Sequence, residues 1–248
     1  MSIVKQQIQQ KQLDYNLKYW EMQSKNMEVF DPNEIHDIDK MRSALNSSQN
    51  CIQVLPAVDY LQFGTTSLRY WANHCGVFSI PTQELANWLT TRHPNPKTIH
   101  EIGCGNGALA RHLGMYCSDG RLNQSASQIA RILGSSHAVT PNWVATKEAT
   151  QAIKQYKPKV VLAQWVTPGG GNIDDISDGR NSYGPDYSKI LQHCGELIFV
   201  GNRSVHDKAL AAVLPPADKE YTFDWLLSRG KHTDQNFIRV WKGNSCGK

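Results

Sequence analysis

Thr98-Ile99-His100-Glu101-Ile102-Gly103-Cys104-Gly105-Asn106-Gly107-Ala108-Leu109-Ala110 reads as a short buried strand, a glycine turn and the start of a helix. Ile99 to Ile102 supplies the strand. Glu101 stands two residues before Gly103, and Gly103, Gly105 and Gly107 follow at alternate positions. Glycine has no Cβ, so the turn closes tightly and a ligand can lie against bare backbone. The helix predicted over Ala108 to Leu113 points its free N–H groups into the same space. An acid at the strand end accepts hydrogen bonds from a cationic or hydroxylated ligand.

Outward from this motif the pattern alternates between strand and helix. Pro81-Thr82 opens a helix whose Leu85, Trp88 and Leu89 share one face, and Pro94 and Pro96 break it. After the motif come a strand at Met115 to Ser118, ending at Asp119, and a helix at Ser125 to Leu133. A weak strand at His137 to Thr140 and a helix at Glu148 to Tyr156 follow. Val160 to Trp165 is apolar enough for a strand buried on both faces, and Glu196 to Val200 is a fifth strand. Such alternation implies parallel strands joined by crossover helices. The tail differs: Tyr221 to Leu227 and Phe237 to Trp241 read as two strands turning through Ser228 to Lys231.

The motif resembles motif I of the class I S-adenosylmethionine-dependent methyltransferases, E/D-x-G-x-G-x-G, over Glu101 to Gly107. A βα series closed by a strand hairpin is also what that family uses, its last strand inserting antiparallel between its neighbours. The resemblance implies an α/β, Rossmann-like class I methyltransferase fold: a mostly parallel seven-stranded sheet with a C-terminal antiparallel hairpin, over residues 81–248. Residues 1–80 are expected to form a helical N-terminal extension, in which Ile8, Leu13, Leu17 and Trp20 hint at an amphipathic helix. Gly103-x-Gly105-x-x-Ala108 also fits the dinucleotide fingerprint, a weak pattern alone. Glu101, the third glycine and the closing hairpin favour the methyltransferase reading.

The resemblance places the methionine end of S-adenosylmethionine over Gly103, Gly105, Asn106 and Gly107, with Glu101 in reach. It places the ribose at Asp119, although Asp119-Gly120 is also a turn dipeptide. It places the adenine near Glu148 and Ala149, although an acid here also suits an ordinary helix start. Trp143 and Val144 supply an apolar wall or core. The fourth strand ends Gln164-Trp165-Val166-Thr167-Pro168-Gly169, where the family meets its methyl acceptor. Enzymes that methylate exocyclic amines of nucleic acids carry D/N/S-P-P-Y/F/W there, and this chain does not. Gln164 is a candidate for the cofactor and for catalysis. Trp165 either stacks a flat substrate or caps the core. Thr167 to Asp186 reads as a substrate lid or a disordered loop. His206 is a candidate general base and Arg203 an anion holder. The acceptor is expected between these segments and the arm around Tyr70 and Trp71.

The whole chain has 26 Lys and Arg against 22 Asp and Glu, a net charge of +4. That allows an anionic partner without demanding one, because nucleic-acid binding shows as a clustered basic face. None of the six cysteines forms a C-x-x-C pair, so no metal site is expected. The first residues are too polar for a signal peptide, and no apolar run reaches the ~20 residues that span a bilayer. The expectation is a cytoplasmic methyltransferase using S-adenosylmethionine on a small-molecule or protein acceptor. A nucleic-acid methyltransferase, a non-catalytic binding module and a nicotinamide dehydrogenase are the rivals.

Overall fold

The computed structural model describes residues 30, 31, 33, 35, 38–46, 52–120, 140–170, 179–181 and 184–244. Helices α1 (Ile38–Leu45), α2 (Ala57–Leu61), α3 (Thr65–His74) and α4 (Gln83–Arg92) precede β1 (Ile99–Ile102). Then come α5 (Ala108–Leu113), β2 (Tyr116–Asp119), β3 (Ala145–Thr146), α6 (Ala149–Tyr156) and β4 (Val160–Gln164). The chain continues through α7 (Tyr187–His193), β5 (Glu196–Asn202), α8 (Arg203–Ala211), β6 (Lys219–Tyr221) and β7 (Asn236–Lys242). Among the described residues no helix is long and apolar enough to cross a membrane.

The strands form one seven-stranded sheet in the order β3-β2-β1-β4-β5-β7-β6. The first five are parallel, in register from Ile99 opposite Val160 and Val160 opposite Glu196. β7 runs antiparallel between β5 and β6, with Asn202 opposite Asn236 and Tyr221 opposite Ile238. The central strands alternate between two apolar layers because successive side chains point to opposite faces. Ile99, Val160, Leu162, Ile198, Val200, Ile238 and Val240 pack with Leu85 and Leu89 of α4 and Leu109 of α5. Val161, Ala163, Leu197, Phe199, Phe237 and Trp241 pack with Ile153 of α6, Ile190 of α7 and Leu210 of α8. Each such fully buried aliphatic side chain stabilises the fold by roughly 1.5–3 kcal/mol. Helices α1 to α3 gather around Met41, Leu45, Tyr60, Leu68 and Trp71, which Ala108 and Leu227 join.

Local chemistry sets the element ends. Thr82 caps α4 by accepting from the Leu85 N–H at 3.2 Å, the role its residue type favours. At the other end Arg92 grips Glu196 with two bonds, 2.9 and 2.7 Å, tying α4 to the start of β5. Burial alone would raise Glu196, but hydrogen bonds from His93 and Arg92 hold it at about 2.

Three boundaries differ from the sequence expectation. The third strand is Ala145–Thr146, after the Pro141 turn rather than at His137 to Thr140. Residues 137–139 and the helix expected at 125–133 lie outside the described residues, as does the expected helix around Ile8 to Trp20. β6 is Lys219–Tyr221, sharing only Tyr221 with the strand expected at Tyr221 to Leu227. Beyond it the aromatics stack on one another. Tyr221 meets Phe223 with centroids 6.1 Å apart, and Phe223 meets Trp225 at 4.4 Å. Finally α8 follows β5 without a loop, because Asn202 caps it by accepting from the Ser204 N–H at 3.1 Å.

Candidate functional site

Parallel strands present their carboxyl ends to one edge, and ligands of open α/β sheets bind there. At that edge β1 runs into the glycine turn. Gly103, Gly105 and Gly107 all take left-handed backbone, with φ of 57°, 55° and 64°. Two of them are also hemmed in. A Cβ on Gly103 would stand 2.7 Å from Val166 Cγ2, and one on Gly107 would stand 2.6 Å from Trp143 Cη2. So Trp143, which also carries Arg111 over its ring, packs against the turn, while Val144 is buried in the core.

Glu101 is 3% exposed. Its Oε1 accepts from Gln164 Nε2 at 2.7 Å, and its Oε2 has no hydrogen-bond partner among the described residues. Burial pushes this carboxyl up to about 7, with the Gln164 bond and the Ala110 backbone N–H opposing the rise and the charge of Asp119 adding to it. Glu101 and Gln164 line a hollow together with Gly103, Gly105, Asn106 and Leu109. Its far wall is Val77, Phe78 and Ser79, from the link between α3 and α4, which sequence reasoning did not single out. No local signal marks it, since Ser79 reaches Gln164 across 85 positions. The hollow has a volume of about 60 Å³, well below the roughly 300–1,000 Å³ of a drug-sized site. It suits the charged end of a ligand whose remainder runs along the sheet edge.

The other candidates divide. Asp119 ends β2 and is brought to the turn, where one carboxylate oxygen accepts from the Gly105 N–H at 3.0 Å. Asn106 uses its side-chain oxygen on the Ala108 N–H. Glu148 is the cap of α6, accepting from the Thr150 and Gln151 N–H groups at 2.9 and 3.0 Å. That is the ordinary helix-start role, with Ala149 as the first helical residue. His206 is not brought to the hollow. It is 1% exposed, wedged edge-on between Trp165 and Phe199, with Nδ1 3.1 Å from the Asn202 backbone. Burial pushes it down to about 4, and the enclosed ring does not face the hollow where the expected general base would meet an acceptor. Arg203 is paired with Glu220. Trp71 is core and Tyr70 stacks on His74. Trp165, half-buried against Phe78 and His206, holds φ of 58°, a strained backbone for a bulky residue. Of the expected lid, residues 171–178, 182 and 183 lie outside the described residues. The flanks fold onto each other through Gly169 N–H to Pro185 O and Asn181 N–H to Pro168 O. Cys104 hydrogen-bonds Cys117, which with burial pushes its thiol up and leaves it a poor nucleophile.

A second concavity of about 350 Å³ lies at the same sheet edge, between α2 and α3 and the segments around β6 and β7. Leu61, Thr65, Arg69, Phe223, Asp224 and Asp234 are among its walls.

The decisive observation is the strand order, five parallel strands closed by β7 running antiparallel between β5 and β6, with the acid-led glycine turn after β1. This is a class I methyltransferase-like fold. No family model matches the chain, and no curated protein matches its sequence. Among solved structures, the 16S rRNA methylase RmtB aligns over 88% of this chain and 77% of its own, at 14% identity and a TM-score of 0.39. Protein 1320 of Thermoplasma acidophilum aligns over 76% and 96%, at 11% identity and a TM-score of 0.35. The precorrin 8W decarboxylase of Methanobacterium thermoautotrophicum aligns over 65% and 90%, at 13% identity and a TM-score of 0.33. These likenesses bring no residue role to this chain. The class I methyltransferase-like fold rests on the chain's own strand order.

Proposed function

We propose that the chain is an S-adenosylmethionine-dependent methyltransferase of the cytoplasm, acting on a small-molecule or protein acceptor. The observation that carries the reading is the unanswered Oε2 of buried Glu101, in a hollow that no basic side chain lines among the described residues. A buried acid oxygen without a partner is destabilising, and a cationic ligand end would satisfy it. The residues present fit that cofactor. Glu101 and the backbone of Gly103 and Gly105 would hold its methionine end. Asp119 would meet the ribose, and the β3–α6 junction would border the adenine. When bound, the cofactor supplies an electrophilic methyl on a sulfonium. The chain's own part is to orient the acceptor and exclude water, which accounts for much of such a barrier.

The charge at the edge favours the acceptor class. The second concavity carries Asp224 and Asp234 against one guanidinium, Arg69, a lining that repels polyphosphate. The test is isothermal titration of S-adenosylmethionine into the wild type and Glu101→Gln. Loss of one charge-assisted bond predicts at least about tenfold weaker binding in the variant. Equal affinities, or tighter binding of NADH than of S-adenosylmethionine, overturn the reading.

A further inference from the structure

Ser79 lines the hollow, and the function proposed above gives it nothing to do. Its hydroxyl donates to Gln164 Oε1 at 3.0 Å, and Gln164 Nε2 donates to Glu101 Oε1 at 2.7 Å. The three side chains form one directed chain of hydrogen bonds ending on the acid.

The direction is fixed by chemistry. A primary amide has a donor end and an acceptor end, and an ionised carboxylate only accepts. While Glu101 is charged, Gln164 must turn its nitrogen to the acid and leave its oxygen facing Ser79. The Ser79 hydroxyl completes that arrangement. Without it, the amide oxygen gains nothing by staying where it is. The amide can then rotate its oxygen toward Glu101, where it favours the protonated acid. Ser79 is also held in place. Its backbone bridges Ser228, and the adjoining Ile80 N–H donates to Leu227 O at 3.0 Å. Ser228 is in turn bonded to Asn236 at 3.0 Å.

We infer that Ser79 is a positioning residue: through Gln164 it keeps Glu101 in the carboxylate form, with Oε2 presented to the hollow. The ligand side of this statement rests on the proposed function, whereas the positioning belongs to the ligand-free chain. Of the other groups around Glu101, the Ala110 backbone N–H of α5 also favours the charged form, whereas the neighbouring side chains do not serve this end. Asp119 from β2 raises it by its charge, and Cys104 from the turn is held as a thiol. Val77 and Phe78 from the link and Leu109 from α5 carry no charge.

The experiment is carboxyl ¹³C NMR of the ligand-free full chain, with the Glu101 signal assigned by its loss in Glu101→Gln. The wild-type midpoint is expected near 7. Removing a hydrogen-bonded support for the charged form predicts a rise of about one pH unit in Ser79→Ala. Ser79→Thr, which keeps the hydroxyl, should restore the wild-type midpoint. In a Gln164→Leu background Ser79→Ala should add nothing, because the chain is already cut. An unmoved midpoint in Ser79→Ala, or an equal shift in both backgrounds, overturns the inference. The parallel readout is S-adenosylmethionine affinity against pH, where the deficit of Ser79→Ala should close above about pH 8.5 as its acid ionises. If the wild type binds no S-adenosylmethionine, the proposed function falls, and the carboxyl titration still decides the role of Ser79.

Discussion

Glu101 is buried to 3% exposure with one oxygen bonded and the other unanswered. Its carboxyl stands at about 7, against 4.5 for an ordinary glutamate. Between those values the folded chain binds the proton more tightly than the unfolded chain. Stability from this group is therefore full below about pH 4.5 and is lost as the pH rises through 7. The difference corresponds to a cost on the order of 3 kcal/mol once the acid is ionised. Glu101→Gln keeps the shape and removes the charge. Urea unfolding should find the variant more stable than wild type by about 2–3 kcal/mol at pH 8. The advantage should shrink toward nothing at pH 5. A stability difference independent of pH would refute the burial cost assigned to this residue. A group that destabilises the empty fold and faces a hollow is what a ligand-binding role leaves behind.

At the scale of elements, the strand–turn–helix unit around Glu101 was legible because its determinants are local. Alternate glycines, an apolar strand and a helix of alanine and leucine lie within thirteen consecutive residues. The hairpin was legible in kind but not in extent, because stacked aromatics at Tyr221, Phe223 and Trp225 mimic strand alternation. Helix α8 was hidden by a polar first turn, although the Asn202 cap and the spacing of His206, Ala209 and Leu210 carried the signal. The Ser79 wall left no trace, since it is made by a contact distant in sequence. The turn itself yields a sharp test. Gly103→Ala must place a Cβ at φ of 57° and 2.7 Å from Val166 Cγ2. Left-handed backbone costs a non-glycine residue roughly 1–2 kcal/mol, and the contact adds to it. Thermal unfolding should show Gly103→Ala destabilised by more than about 2 kcal/mol. Adding Val166→Ala should return the steric part and leave the backbone part. Full recovery in the double variant would mean that backbone conformation contributes nothing at Gly103.

Across the described residues, two buried histidines dominate the response to acid between pH 6.5 and 4. His100 sits in β1 beside Ser118 at 2.9 Å, and His206 lies under the β5–α8 junction. Burial lowers each to about 4 from 6.5. A depressed histidine stabilises the fold above its unfolded value, and that contribution is lost as the pH falls from 6.5 to 4. Glu101 works in the opposite sense over nearly the same window, regaining stability as it is protonated. The two histidines outweigh the single glutamate, so the wild type should lose stability on acidification by an amount on the order of 3 kcal/mol. Glu196, held at about 2 by Arg92 and His93, withdraws its own contribution only below about pH 4.5. Glu101→Gln removes the counterweight. Its stability should therefore fall more steeply than the wild type's between pH 6.5 and 4, even though it starts higher at pH 8. Urea midpoints measured at half-unit steps decide this. Parallel wild-type and variant curves would show that Glu101 does not titrate near neutrality in the folded chain, and the electrostatic case for a cation in its hollow would go with it.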